Sequence, residues 1–226
     1  MREVILDTET TGLNPALGHR IIEIGCVEIF NKAKTGRVFH YHINPERDVP
    51  QEAFKIHGLS TEFLKDKPLF KEIAPQLVEF IADSTLVIHN APFDVKFLNA
   101  ELKLLNHELI TMERVIDTLV IARKKFPGAP ASLDALCRKF KVNNTHRTKH
   151  GALLDSELLY EVYIALTEGV QSELKLQEER LEGKASQGKI KQAIPYRQFP
   201  VDKDELESHE KLIAKIKNSL WEDMKC

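Results

Sequence analysis

The sequence has no Cys-x-x-Cys pair, and its three cysteines, Cys26, Cys137 and Cys226, are too few and too far apart for a disulfide framework or a thiolate zinc site. That usage fits a reducing compartment. No stretch approaches the ~18 consecutive apolar residues of a membrane span, and the apolar run in "MREVILDTE" is too short for a signal peptide. A cytoplasmic protein is expected. Neither charge is in excess, since 32 Lys and Arg stand against 34 Asp and Glu for a formal net charge of -2. A nucleic-acid partner would therefore have to meet local patches, not a global basic field. What 226 residues with 42% hydrophobic content do allow is one well-buried core with chain left over.

The first third is rich in strand patterning. "EVILDTE", "RIIEIGCVEIF" and "RVFHYHI" are punctuated by Gly12, Gly18, Asn31 and Gly36, and predict an antiparallel meander. Residues 52 to 81 carry helical spacing broken at "HGLS", where Ser60 can cap a new turn, and at Pro68. The apolar strand "TLVIHN" follows, then a helix in "APFDVKFLNAELKLL", a short strand "RVIDT", and helices in "LVIARKKF", "SLDALCRKF" with Ser132 as N-cap, and "GALLDSELLYEVYIAL". Strands first, then strands alternating with helices, imply an α/β fold with a mixed sheet. Beyond Leu166 the chain turns polar and Lys/Glu-rich, which reads as a linker. Helical spacing returns in "KDELESHEKLIAKIKNSLW", with Leu206, Ile213 and Leu220 seven apart and Trp221 beside them. A lone amphipathic helix after a linker has little of its own chain to bury against, so it predicts a docking partner.

Four acids stand in awkward places. In "LDTETTG", Asp7 and Glu9 point to one face of a strand while Thr8 points to the other, and two carboxylates so close repel unless a proton or cation lies between them. Asp94 opens the helix after "TLVIHN", and Asp155 lies among Leu153, Leu154, Leu158 and Leu159. Taken singly, Asp94 reads as a first-turn acid favoured by the helix dipole, Asp155 as a solvated helix position, and Asp7 with Glu9 as a strand-end turn. Taken together they can converge into an oxygen-rich site for hard divalent cations such as Mg²⁺ or Mn²⁺. Two such ions about 3.5 to 4 Å apart clamp a phosphodiester during in-line attack by water. His150, five residues before Asp155 in "KHGALLD", is of the residue type suited to take the water's proton, although it also reads as an ordinary polar loop residue.

"LDTETTG", "HNAPFD" and "HGALLD" resemble the three motifs of the DnaQ-like, or DEDDh, family of 3′ to 5′ exonucleases, with Asp7, Glu9, Asp94, His150 and Asp155 at the five defining positions. Residues 3 to 167, including "HRIIEIGCVEI" and "FKIHGLS", are similar to the branch formed by bacterial replicative proofreading subunits. The resemblance implies an RNase H-like fold with a central five-stranded mixed sheet flanked by helices, a flexible C-terminal tail, two divalent ions, and release of 5′-mononucleotides. It implies that Asp7 bridges both ions, that Glu9 and Asp155 hold the ion that activates water, that Asp94 holds the other through water, and that His150 is the base. Thr8 and Thr10 are implied to meet the 3′ end of the terminal nucleotide, while His57, Asn90 and Phe93 line its path.

Phe93 reads equally as a core aromatic, and Asn90 as a helix cap. The implied organisation is an exonuclease domain over 1–170, a clamp segment and linker over 171–200, and a polymerase-binding helix over 201–226. Gln171, Leu174 and Leu176 would meet a sliding clamp, and Leu206, Ile213, Leu220 and Trp221 the polymerase alpha subunit. A small theta-like subunit is a further implied partner. The leading expectation is a proofreading enzyme acting on single-stranded or frayed DNA 3′ ends. An RNA-trimming relative and a non-catalytic scaffold between polymerase and clamp stand as the alternatives.

Overall fold

The computed structural model describes residues 1–145, 149–168 and 202–215, in two units that divide between Leu176 and Gln177. In the larger unit, strands β1 (Arg2–Thr10), β2 (Ile21–Phe30) and β3 (Ala33–His42) form the predicted antiparallel meander. Strands β4 (Thr85–Ile88) and β5 (Val115–Asp117) add in parallel on the far side of β1, giving the order β3-β2-β1-β4-β5. The central strand is paired on both edges and covered on both faces, so Val4, Ile5 and Leu6 are all fully buried and its apolar residues run consecutively instead of alternating. Asn31 and Lys32 both take positive φ in the two-residue turn joining β2 to β3, the conformation that matches the twist of a tight hairpin.

The helices of this unit are α1 (Gln51–His57), α2 (Thr61–Leu64), α3 (Phe70–Ile81), α4 (Ala91–Leu104), α5 (Thr118–Lys125), α6 (Leu133–Phe140) and α7 (Ala152–Glu168). The predicted caps form: Ser60 Oγ accepts from Phe63 N at 3.1 Å, and Ser132 Oγ from Ala135 N at 3.3 Å. On one face Val4, Leu6 and Ile24 meet Ile73 and Leu77 of α3 and Phe97 and Leu98 of α4. On the other, Ile5, Val27 and Val87 meet Leu159 and Tyr163 of α7. Each such fully buried side chain contributes roughly 1.5 to 3 kcal/mol. Helices α5 and α6 close against α7 through Ala122, Leu136, Leu158 and Val162.

Several acids inside this frame are neutralised by bases. Glu28 lies 2.6 Å from Arg2 and 2.9 Å from Arg37, and Glu3 takes Lys32 at 3.0 Å and the Tyr163 hydroxyl. Arg20 pairs with Glu101 through both Nε and Nη2. Cys26 and Cys137 are buried. No helix among the described residues is long and apolar enough to cross a membrane.

In the second unit, α8 (Lys203–Ile213) starts at Asp202, whose side chain accepts from Asp204 N at 3.1 Å. It buries none of its residues, and Leu206 and Leu212 are exposed. Leu220 and Trp221, and the clamp candidates Gln171, Leu174 and Leu176, lie outside the described residues.

Candidate active site

The parallel register pairs Glu3 with Thr85 and Ile5 with Val87, so β4 ends at Ile88 while β1 runs on through Asp7 to Thr10. The overhang leaves β1 with backbone donors on that edge and no strand to take them. The chain turns sharply at Asn90, which sits in the left-handed region at φ 64° and ψ 48°, and α4 starts at once. Its first turn brings Asp94 to the overhang, where the carboxylate accepts from Thr8 N at 3.1 Å and from Thr8 Oγ1 at 2.6 Å. Asp94 is buried, and loss of water pushes its carboxyl up to about 7 against the opposing pull of the Thr8 bonds.

Asp7 and Glu9 point to the opposite face, where their cross-strand partners on β2 are Gly25 and Glu23. Helix α7 begins directly over Gly25: a Cβ there would lie 2.3 Å from the backbone of Ala152 and Leu153. Only glycine permits that approach, and Ser156 Oγ donates to Gly25 O at 2.9 Å to hold it. The close seat brings Asp155 in the first turn of α7, 3% exposed, toward Glu9. His150 Nδ1 lies 3.2 Å from Asp155 Oδ2, and its backbone N–H donates to Ile56 O, tying the loop to α1. One ligating atom from each of Glu9, His150 and Asp155 falls within 4.8 Å of the other two.

Asp7, Glu9, Asp94, Asp155 and His150 thus line one cavity of about 740 Å³, together with Thr8, Asn90 and Phe93. An adjoining cavity of about 530 Å³ shares Thr8, Glu9 and Phe93 and adds Thr10 and His57. Every exonuclease-domain candidate from the sequence lines one of the two. Some readings change in detail. Both Thr8 donors are committed to Asp94, and the Thr10 hydroxyl donates to Gly12 O, so each retains only acceptor capacity at its hydroxyl oxygen for a ligand. Asn90 stands at the N-cap position but makes no side-chain cap bond, because its left-handed backbone is set by the turn off β4. Phe93 is half-buried, packs 5.1 Å from Phe97 at the edge of the core, and still faces both cavities.

The sequence reading missed Leu13 and Leu17, strongly exposed on the rim of the smaller cavity, and His89 and Arg123 in the larger one. An exposed leucine carries no signal in a linear pattern. His57 is buried, and desolvation holds its imidazolium below the usual range. Its Nδ1 accepts from Leu59 N at 3.0 Å, which leaves the proton on Nε2, an atom with no partner among the described residues. Carboxylate oxygens with one imidazole are a donor set that suits hard divalent ions, and the burial that raises the Asp94 carboxyl is the kind of cost that a neighbouring cation offsets.

The family described as Exonuclease matches residues 4–163. The chain belongs to that exonuclease family. It is a metal-dependent 3′–5′ exonuclease with an RNase H-like fold. It is 56% identical to the DNA polymerase III subunit epsilon of Rickettsia typhi over 96% of this chain and 97% of that one. It is 63% identical to the Rickettsia prowazekii subunit over 78% of each chain, and 43% identical to the Escherichia coli subunit over 92% and 90%. Among solved structures, the fold matches the nuclease domain of 3′hExo, a DEDDh family member bound to rAMP, at a TM-score of 0.64 and 18% identity over 74% of this chain and 92% of that one. Exonuclease X in complex with 5′ overhanging duplex DNA matches at 0.56 and 24% identity, over 74% and 93%.

Proposed function

We propose that this exonuclease is the proofreading subunit of a bacterial replicative polymerase, removing mispaired nucleotides from DNA 3′ ends. The observation that carries the chemistry is the convergence of four carboxylates and one imidazole, from both faces of the sheet, on the overhang of β1. Asp7, Glu9, Asp94 and Asp155 would hold two divalent cations, Mg²⁺ or Mn²⁺. Bound there, the ions would polarise the scissile phosphate and lower the pKa of the attacking water. His150, held by Asp155 through Nδ1, takes the proton as the water oxygen bonds to phosphorus. The bond from phosphorus to the 3′ oxygen breaks, and that oxygen takes a proton from solvent, leaving a 5′-mononucleotide and a new 3′-hydroxyl strand end.

The smaller cavity takes the terminal nucleoside. His57 offers Nε2–H as a neutral donor, Phe93 a stacking face, and the hydroxyl oxygens of Thr8 and Thr10 accept from the 3′-OH. Leu13 and Leu17 present apolar surface to the adjoining base, which favours an end already frayed by a mismatch. The exonuclease domain would occupy residues 1–170, with a sliding clamp met at Gln171, Leu174 and Leu176. The tail over 201–226 would bind the polymerase alpha subunit along the stripe of Leu206, Ile213, Leu220 and Trp221. The exposure of Leu206 on a helix that buries nothing supports that role. A theta-like subunit would be a further partner, and the replisome at the nucleoid, in the cytoplasm, the place of action. With DNA affinity supplied by polymerase and clamp, a net charge of -2 is no obstacle.

The test is a gel assay of the full chain on a primer with a mismatched 3′ end, with Mg²⁺ and then with chelator. Stepwise shortening from the 3′ end, stopped by chelator and by Asp7→Ala, is the expected result. An intact primer alongside retained polymerase binding would establish the scaffold reading, and faster hydrolysis of RNA the trimming one.

A further inference from the structure

We propose that Glu23, His40 and His42 form a second metal site, for one zinc-class cation, beside the exonuclease centre and chemically distinct from it. The register of the meander creates it. Glu23 on β2 stands opposite His42 on β3, and Gly25 opposite His40, so the two histidines and the glutamate share one face of the sheet. Gly25 contributes no side chain between them, and the Glu23 carboxylate reaches His40. His40 Nε2 lies 2.7 Å and His42 Nε2 3.6 Å from the same oxygen, Glu23 Oε1. All three ligating atoms fall within 4.8 Å of one another. A tetrahedral zinc ion with bonds of roughly 2.0 to 2.2 Å sets its donor atoms about 3.3 Å apart. The two separations bracket that figure, so small side-chain rotations suffice.

The donors select the ion. Two imidazoles and one carboxylate are the borderline set found in open zinc sites, with a fourth position left for water. The acids at the exonuclease centre are instead a hard oxygen set suited to Mg²⁺ or Mn²⁺. Exposure is graded in the way entry of an ion requires: the Glu23 side chain is 6% exposed, His40 33% and His42 27%. The rings are also braced. They meet each other at 5.0 Å between centroids, and His42 meets the ring of Phe63 edge-on at 5.1 Å. Glu23 is the cross-strand partner of Glu9, so the ion would be bound one strand away from a proposed ligand of the hydrolytic ions. It would also clamp β3, the edge strand, to β2.

The experiment titrates Zn²⁺ into the full chain against a chromophoric zinc indicator, with Mg²⁺ in large excess. Wild type, His42→Gln, His40→Gln and Glu23→Gln are compared. The glutamine at position 23 is isosteric and can still hydrogen bond to His40, so it separates loss of a ligand from loss of the fold. The expected result is one Zn²⁺ equivalent fewer, or affinity at least tenfold weaker, in all three variants. Co²⁺ bound to wild type should give the intense visible bands of four-coordinate geometry, absent from the variants, while Mg²⁺-supported hydrolysis is unchanged throughout. Equal stoichiometry and affinity in wild type and variants would overturn the site. So would collapse of Mg²⁺-supported hydrolysis in Glu23→Gln, since the residue would then belong to the exonuclease centre.

Discussion

Gly25→Ala is the most discriminating perturbation of the catalytic geometry, because it leaves every proposed ligand of the hydrolytic ions chemically unchanged. The added Cβ would lie 2.3 Å from Ala152 C and Leu153 N and 2.5 Å from Ala152 O. Ordinary contact begins near 3.4 Å, so α7 must retreat from the sheet by about 1 Å, and backbone cannot swing aside as a side chain can. Overpacking of this kind costs roughly 1 to 3 kcal/mol. The same retreat carries Asp155 and His150 away from Glu9, and misplacement by about 1 Å in a reacting geometry costs on the order of 10²-fold in rate. Gly36→Ala is the control. Gly36 has φ 86° with nothing within 4 Å of an added Cβ, so alanine there is strained by roughly 1 to 2 kcal/mol without displacing anything. Thermal melting should show both variants folded and comparably destabilised, with primer hydrolysis falling about 10²-fold in Gly25→Ala alone. A Gly25→Ala enzyme within threefold of wild type, or an equal loss in Gly36→Ala, would refute the reasoning.

Three further outcomes are expected. Burial raises the Asp94 carboxyl from 3.8 to about 7, so between those pH values the folded protein holds a proton that the unfolded chain releases, and this contribution to stability declines as pH rises. In chelator, urea melts at pH 5 and pH 8 should therefore show a loss in wild type of at most about 3 kcal/mol beyond that in Asp94→Asn, since that interval spans about two pH units of the window; parallel profiles would contradict it. Thr8→Val removes the 2.6 Å donor to that carboxylate, which should lower stability by about 1 to 3 kcal/mol and weaken Mn²⁺ binding by calorimetry. His150→Gln should leave the melting temperature nearly unchanged, since the side chain is 46% exposed, while kcat falls roughly 10²- to 10⁴-fold in a single-turnover assay.

Periodicity is local, and what it encodes was readable without a fold. The three-strand meander, the serine caps at 60 and 132, and the helices over 91–104 and 152–168 all follow from residues within a few positions of one another. The four candidate carboxylates were likewise legible, because acids in "LDTETTG", "HNAPFD" and "HGALLD" interrupt otherwise apolar elements, while His150 stood out only through its resemblance to a family motif. Glu23 escaped notice for the opposite reason. In "RIIEIGCVEIF" it resembles the polar half of an alternating strand, and only pairing with β3 reveals that it faces two histidines. Asn90 does stand at the N-cap, but whether its side chain would make the cap bond was not legible, since asparagine favours both caps and left-handed turns and the choice depends on where β4 stops.

By itself the sequence determined which segments would be strand or helix and which side chains would be chemically uncomfortable alone, because both are properties of a residue and its near neighbours. The tertiary structure decided where that discomfort is relieved. Strand order, the overhang of β1 beyond β4, and the seat of α7 on Gly25 bring Asp94 from one face and Asp155 from the other to the same strand end. Those are long-range packing outcomes, set by how many residues each strand can pair and how closely two backbones can approach.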